Sequence, residues 1–309
     1  MLYLSTRNKA DSFTAHRVLR SAAAPDGGMF MPMQLPAQND IALAAFEHMS
    51  FGEAAATILN LFFGTKLSGW DVDFAVGRQT VDLVSLGHKI SVAESWHNPA
   101  GSHAYFAQRL YNLALSEKLN TQPPNAWFST VVNIAILFGV YGKFCRRDVY
   151  EFDVAIETGD FQMLLAVRYA QKMGLPIRKV ILGCMDGDGL WDFLSYGDYT
   201  AIKKERNIGL EALLWLEFGY GEVQNYMTAI EQKNIYRLKV LPLEQFRKSL
   251  FWTVVGDHRA KNVAGSTVQT MEYYMETGTA RAFGALQDYR AKTGENKNTL
   301  LFSHHAPVK

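Results

Sequence analysis

A chain of 309 residues is long enough for one large domain or two modest ones with buried cores, and two are expected here, 1–86 and 87–309. With 31 basic against 30 acidic side chains the net charge is +1, which gives no electrostatic footprint for nucleic acid or an anionic membrane. The two cysteines, Cys145 and Cys184, each lie in an apolar stretch, which points to buried thiols in a reducing compartment and not to a disulfide framework.

Met1–Arg7 lacks a basic segment followed by an apolar run, so no signal peptide is read there and a cytoplasmic location is expected. Ser12 is expected to cap a helix running toward Arg20, and Pro25-Asp26-Gly27-Gly28 has the chemistry of a tight turn. Ser50 with Glu53 forms a capping-box pattern leading into a helix over Ala54–Phe63. Lys89–Ala93 reads as a strand, Phe106–Leu115 as a helix, and Asn120–Asn125, with two prolines, as a linker. Ala126–Phe128 is expected to be a short strand. Val131–Val140, shorter than the roughly 20 residues of a membrane span, reads as a buried core element.

The clearest unit follows. Tyr150–Ile156 reads as a strand, Glu157–Asp160 as a loop, Phe161–Met173 as a helix stopped by Gly174-Leu175-Pro176, and Ile177–Leu182 as the next, parallel strand. Helical periods then cover Leu210–Phe218, Val223–Glu231 and Ser266–Met275, and Thr299–Phe302 looks like a terminal strand. Lys203–Arg206 carries mixed charge and reads as a solvated turn. Trp96, Trp127, Trp191, Trp215 and Trp252 are assigned to core or interface positions. The alternation of short apolar runs with helical periods implies an α/β fold with a mostly parallel sheet flanked by helices.

Three segments carry a family likeness. Tyr3-Leu4-Ser5-Thr6-Arg7 followed by Ala24-Pro25-Asp26-Gly27-Gly28 is similar to the opening of the threonine synthases, which use pyridoxal phosphate on the tryptophan-synthase-β fold. Glu157-Thr158-Gly159-Asp160-Phe161 with Ala170–Ile177 resembles that family's PTGNFGN loop and the AKKMGLPI that follows its helix. Leu301–Ala306 resembles the LATAHP strand end. The resemblance implies a helical N-terminal domain, a small domain much reduced here, and cofactor contacts at Thr158, Gly159, Asp160, Phe161, Gln162 and Ser303.

The departures bear on function. The family's GPTLAFKD segment carries the lysine that links the cofactor; here the stretch is Asn98-Pro99-Ala100-Gly101-Ser102-His103-Ala104-Tyr105, which puts Ala104 at the lysine position. Lys89, Lys143 and Lys172 are conceivable replacements but read more simply as surface lysines. Asp160 would repel a phosphate if turned inward, or cap the next helix if turned outward. Ser303 matches the threonine that can hydrogen-bond the pyridine nitrogen, although a serine ending an edge strand is ordinary. His97, His103, His304 and His305 could gather near one another, but their spacing matches no standard ligand motif and no metal is expected.

Three functions follow from the resemblance. One is a catalytically degenerate paralogue that binds a small amino-acid-like or phosphate ligand or a partner subunit, a homodimer included. Another is an active threonine synthase, a carbon–oxygen lyase converting O-phosphohomoserine to threonine and phosphate. The third is an assembly protein. Covalent attachment of pyridoxal phosphate is not expected in the first or the third.

Overall fold

The structure, a computed structural model, describes residues 1–77, 81–117, 120–144, 151–159, 161–202 and 205–307. Strands β1 (Leu2–Ser5), β2 (Phe13–Thr14) and β3 (Phe30–Pro32) form a small antiparallel sheet in the order β2-β1-β3, with α1 (Ala15–Leu19) between the last two in sequence. Helix α1 starts later than the sequence suggests, because Phe13 pairs with Tyr3 and leaves Thr14 to cap it by accepting from the Arg17 N–H. The turn at Pro25–Gly28 forms as expected: the Gly27 N–H donates to Ala24 O at 2.8 Å, with Gly27 at φ +77°. Helices α2 (Asp40–Phe46), α3 (Phe51–Phe63) and α4 (Gly69–Val76) follow, and Ser50 and Glu53 make the reciprocal capping box that opens α3.

The main sheet begins with β4 (Asp82–Gly87) and β5 (Ile90–Glu94). Between β5 and β6 (Phe152–Glu157) lie the helices α5 (His103–Leu115) and α6 (Ala126–Phe144); no regular element is described for 120–125. Helix α7 (Phe161–Lys172) joins β6 to β7 (Ile177–Cys184), and the two strands are parallel, with Val154 opposite Val180 and Ala155 opposite Ile181. The chain continues through α8 (Gly189–Tyr196), β8 (Asp198–Thr200), α9 (Ile208–Phe218), α10 (Tyr220–Lys233), β9 (Ile235–Arg237) and α11 (Val240–Arg247). It then forms β10 (Leu250–Val254), α12 (Asp257–Met271), α13 (Thr277–Thr293) and β11 (Thr299–Ser303). Helix α12 ends before Met275, since Glu272 takes a left-handed conformation at its C-terminus.

The sheet order is β10-β7-β6-β11-β5-β4, parallel except for β4 against β5. Strand β11 is therefore central, not an edge strand, and all five of its residues are buried. Successive side chains on a strand point to opposite faces. Accordingly Val154 and Ile156 join the core with α3, α6 and α7, and Ala155 joins the core with α12 and α13. A strand buried on both faces reads as an apolar run, as Val154–Ile156 of β6 does, while the buried Asp153 beside it is paired with Arg178.

Ala126–Phe128 does not form a strand; it is the first turn of α6. The Asn125 side chain accepts from the Phe128 N–H at 2.8 Å, and its amide donates to Val18 O and Ser21 O, which starts the helix and anchors it to α1. At 19 residues α6 is long and apolar enough to cross a membrane, which Val131–Val140 alone is not, but 83% of its apolar window is buried inside the protein. Its closeness to α2 rests on a missing side chain: a Cβ on Gly142 would lie 2.4 Å from Phe46 O. Gly142→Ala should lower the stability measured by urea unfolding by about 1–3 kcal/mol. Gly265→Ala, on the open face of α12 with nothing within 4 Å, should leave it unchanged or raise it by up to about 1 kcal/mol.

Candidate functional site

In a parallel sheet the loops that leave the carboxyl ends of the strands converge on one edge, and a crevice there is the ordinary place for a ligand. Here β5, β6 and β11 end in Glu94, Glu157 and Ser303. A cavity of about 270 Å³ opens beside the ends of β6 and β11. One side is Ile156, Glu157, Gly159 and Met163, the others Met185, Glu276, Gly278, Phe302, His304 and His305.

The Glu157 carboxylate is held by Arg281 of α13 at 2.8 Å, and the buried guanidinium also meets Asp257 and donates to Val255 O at 3.0 Å. Glu276 caps α13 by accepting the Gly278 and Thr279 N–H groups at 2.9 and 3.2 Å, a carboxylate placed where the helix dipole favours it. A Cβ on Gly278 would stand 2.7 Å from the Glu157 carboxylate, so any larger residue there would displace the end of that side chain.

Beside the cavity the loop between β5 and α5 is zipped to the segment after β11. The His103 N–H donates to His304 O at 2.7 Å, the Ala306 N–H donates to Gly101 O at 3.0 Å, and the His103 ring stacks on His304 at 4.5 Å. Burial, then repulsion from His304 and His305, holds the His103 imidazole well below its usual pKa, and Ser95 Oγ lies 3.0 Å from its Nδ1. His97 stacks on Trp96 and meets the buried Glu94 at 2.5 Å, and the Tyr273 hydroxyl also donates to Glu94. Among the described residues no group of His, Cys, Asp and Glu could hold a metal ion.

Of the cofactor contacts that the resemblance implies, Gly159 is the one described residue that lines the cavity, where it is joined by His304 and His305 of the histidine group. Thr158 is buried behind it, its hydroxyl donating to Asp188 and to Gly183 O. Phe161 packs against Gly209 and opens α7 with Gln162, while Asp160 lies outside the described residues, as do Cys145, Tyr150, Lys203 and Lys204. Ser303 is 2% exposed and accepts from the Trp96 indole N–H at 3.1 Å, so Trp96 belongs to the margin of the site. Glu157 was legible only as the start of a motif, and Met163, Met185 and Glu276 gave no signal at all. Cys184 is a buried free thiol pushed up to about 12 by burial.

Comparison with known proteins fits this arrangement. A family model described as "Threonine synthase N terminus" matches residues 2–77. Human threonine synthase-like 2 is 33% identical over 106 residues, 31% of this chain and 22% of that protein. Fission-yeast (Schizosaccharomyces pombe) threonine synthase is 26% identical over 171 residues, 48% of this chain and 33% of that one. The pyridoxal-phosphate-bound threonine synthase of Brucella melitensis superimposes with a TM-score of 0.82 at 16% identity, covering 99% of this chain and 89% of that structure. The yeast enzyme gives 0.82 as well, also at 16% identity, covering 99% and 87%. Residues 2–77 thus resemble the N-terminal part of threonine synthases, and the chain has the threonine synthase fold. Its alignments with the curated relatives named here nevertheless span only 22–33% of their length.

The family's cofactor can be tested against these side chains. Among the described residues that line the cavity there is no lysine, and Ala104 is an exposed residue in the first turn of α5. The three alternative lysines lie elsewhere: Lys89 donates to Asn296 O just before β5, Lys172 pairs with Glu217 at the end of α7, and Lys143 is in the last turn of α6. Glu157 and Glu276 present carboxylates where a phosphate dianion would need donors, and Ser303 is occupied by Trp96. The side chains present do not fit pyridoxal phosphate.

The His103 environment carries a pH dependence. The native ring stays neutral while the unfolded ring takes up a proton below about 6.5, so the unfolded state binds more protons and stability falls as pH drops through that value. His103→Phe should therefore flatten the fall in Tm between about pH 7 and pH 5, measured by thermal unfolding of both proteins across the range.

Proposed function

We propose that this protein is a catalytically degenerate threonine synthase paralogue that binds a small metabolite or a partner subunit in place of turning over O-phosphohomoserine. The observation that carries this is Ala104: the position expected to hold the amine has no nucleophile, and no lysine is among the described residues that line the cavity. The carboxylates of Glu157 and Glu276 supply independent support. Either change alone could be compensated, but both together leave neither a covalent anchor nor a phosphate cradle. A cytoplasmic location and a division at residues 86/87 are part of the same reading.

For the partner-binding part, support comes from α4. Trp70 and Phe74, 66% and 77% exposed, stack on each other at 5.4 Å and give the apolar surface that a second copy would cover. Light scattering at micromolar concentration should report a dimer, and Trp70→Ala should shift it toward monomer; a monomeric native protein would remove the self-association part.

The catalytic part is tested by phosphate release. Purified protein incubated with pyridoxal phosphate and O-phosphohomoserine should release no phosphate above background and develop no new visible absorption band. Ala104→Lys should be equally silent, because it restores the amine without altering the carboxylates. Turnover in the usual enzyme range of about 1–1,000 per second would overturn the reading.

A further inference from the structure

A second cavity, of about 350 Å³, opens at the other end of the main sheet, beside the first residue of β5 and the segment that leads into β11. Its floor is apolar: Ile90, Phe283 and Leu286 are buried core residues, and the partly buried Met271 packs beside them. The crevice at the carboxyl ends of β6 and β11 lies one strand length away, and the two spaces share no lining residue.

The polar wall rests on backbone that residues other than glycine rarely adopt. In the turn between β4 and β5, His88 and Lys89 follow Gly87 with φ of +50° and +62°, a left-handed pair that persists only where its surroundings hold it. Three hydrogen bonds do so. The Thr299 N–H donates to Lys89 O at 2.8 Å, Lys89 Nζ to Asn296 O at 3.2 Å, and Arg290 Nη1 to His88 O at 3.1 Å.

Arg290 is the guanidinium of this wall, and its donors are not all used. Its five N–H groups meet three oxygens: His88 O, Lys297 O at 3.1 Å and Thr299 Oγ1 at 3.5 Å. None of these carries a charge, and the buried Nε has no acceptor among the described residues. Burial pulls the guanidinium below its usual pKa, and attraction to Asp153 offsets only part of that. Asp153 is itself held by Arg178 through hydrogen bonds of 3.0 and 2.7 Å. Of the other titratable groups that line the cavity, Glu295 is held by Arg178 and by the Tyr289 hydroxyl at 2.6 Å, and His88 is exposed. Lys297 pairs with Glu151. The last turn of α13 adds the partial negative charge of its carbonyls and also carries Lys292. Lys89, Arg178, Arg290 and Lys292 therefore stand against Asp153 and Glu295, which leaves the wall positive.

We propose that this cavity binds a small apolar carboxylate, with an oxygen accepting from Arg290 and a hydrocarbon body on Ile90, Met271, Phe283 and Leu286. The assignment does not depend on what the crevice at the other end of the sheet does. A carboxylate with an apolar body gains both the charge and the burial. Its amide gains burial without the charge, acetate gains the charge without the body, and an amine meets repulsion. Hydrogen bonds to charged groups exceed neutral ones by enough that the acid should outbind its amide at least about tenfold.

Titration calorimetry tests this with 3-phenylpropionate, 3-phenylpropanamide, 3-phenylpropylamine and acetate as probes. The propionate alone should saturate, with the other three at least about tenfold weaker. Arg290→Gln should bring the propionate down to the level of its amide. Because Arg290 also holds the turn between β4 and β5, Gln287→Trp supplies the second variant: Gln287 lines the cavity from the exposed face of α13, so an indole there covers the space without entering the core. Gln287→Trp should keep the native thermal transition and lose propionate binding. Amide or amine binding as tight as that of the propionate, propionate binding that survives Gln287→Trp, or no saturation by the propionate would each overturn the assignment.

Discussion

A guanidinium buried under the sheet edge sets the terms for everything around it. Arg281 is 3% exposed and has no bulk water to stabilise its charge, so its N–H groups have to find acceptors within the fold. They find Val255 O, Glu157 and Asp257, and so tie α13 to the end of β6 and to the start of α12. The compensation fixes Glu157 at the mouth of the crevice, where a side chain on Gly278 would displace it. Local charge balance in the scaffold thus places the Glu157 carboxylate at the crevice.

The scaffold and the chemistry separate cleanly in this molecule. The fold depends on strands buried on both faces and on helix α6 filling the space beneath them, none of which involves the lysine position. The residue at position 104 costs the core nothing, because Ala104 is exposed on the first turn of α5. The loop around it is held by main-chain hydrogen bonds to His304 and Ala306, which do not depend on the side chain there. The stability of the fold therefore does not depend on which side chain stands at position 104.

The β6–α7–β7 unit could be read in advance because period-two and period-3.6 patterns follow one another and Gly174 marks the stop, with φ +113° where a side chain would also strike Gln38 O. Ala126–Phe128 could not, since three apolar residues look alike in a strand and in a buried helix; the deciding contact was the Asn125 cap. The place of β11 in the sheet was equally hidden, because order among parallel strands is set by crossovers and not by the strand's own residues. At the site, Gly159 was singled out through the resemblance to family motifs and does line the cavity. The partner that gives Glu157 its meaning, Arg281, lies 124 residues further along, beyond the reach of any local pattern.

Strand β11 pairs with β5 and β6 at once, and it follows α13 in the chain. Until it arrives, β5 and β6 have no neighbour between them, and two apolar strand edges stand open to other chains. Closing the sheet requires a loop that encloses most of the main domain, and long-range parallel pairing of this kind is intrinsically slow. The strand that forms one side of the crevice is thus also the one whose pairing spans the longest stretch of chain in the sheet's centre.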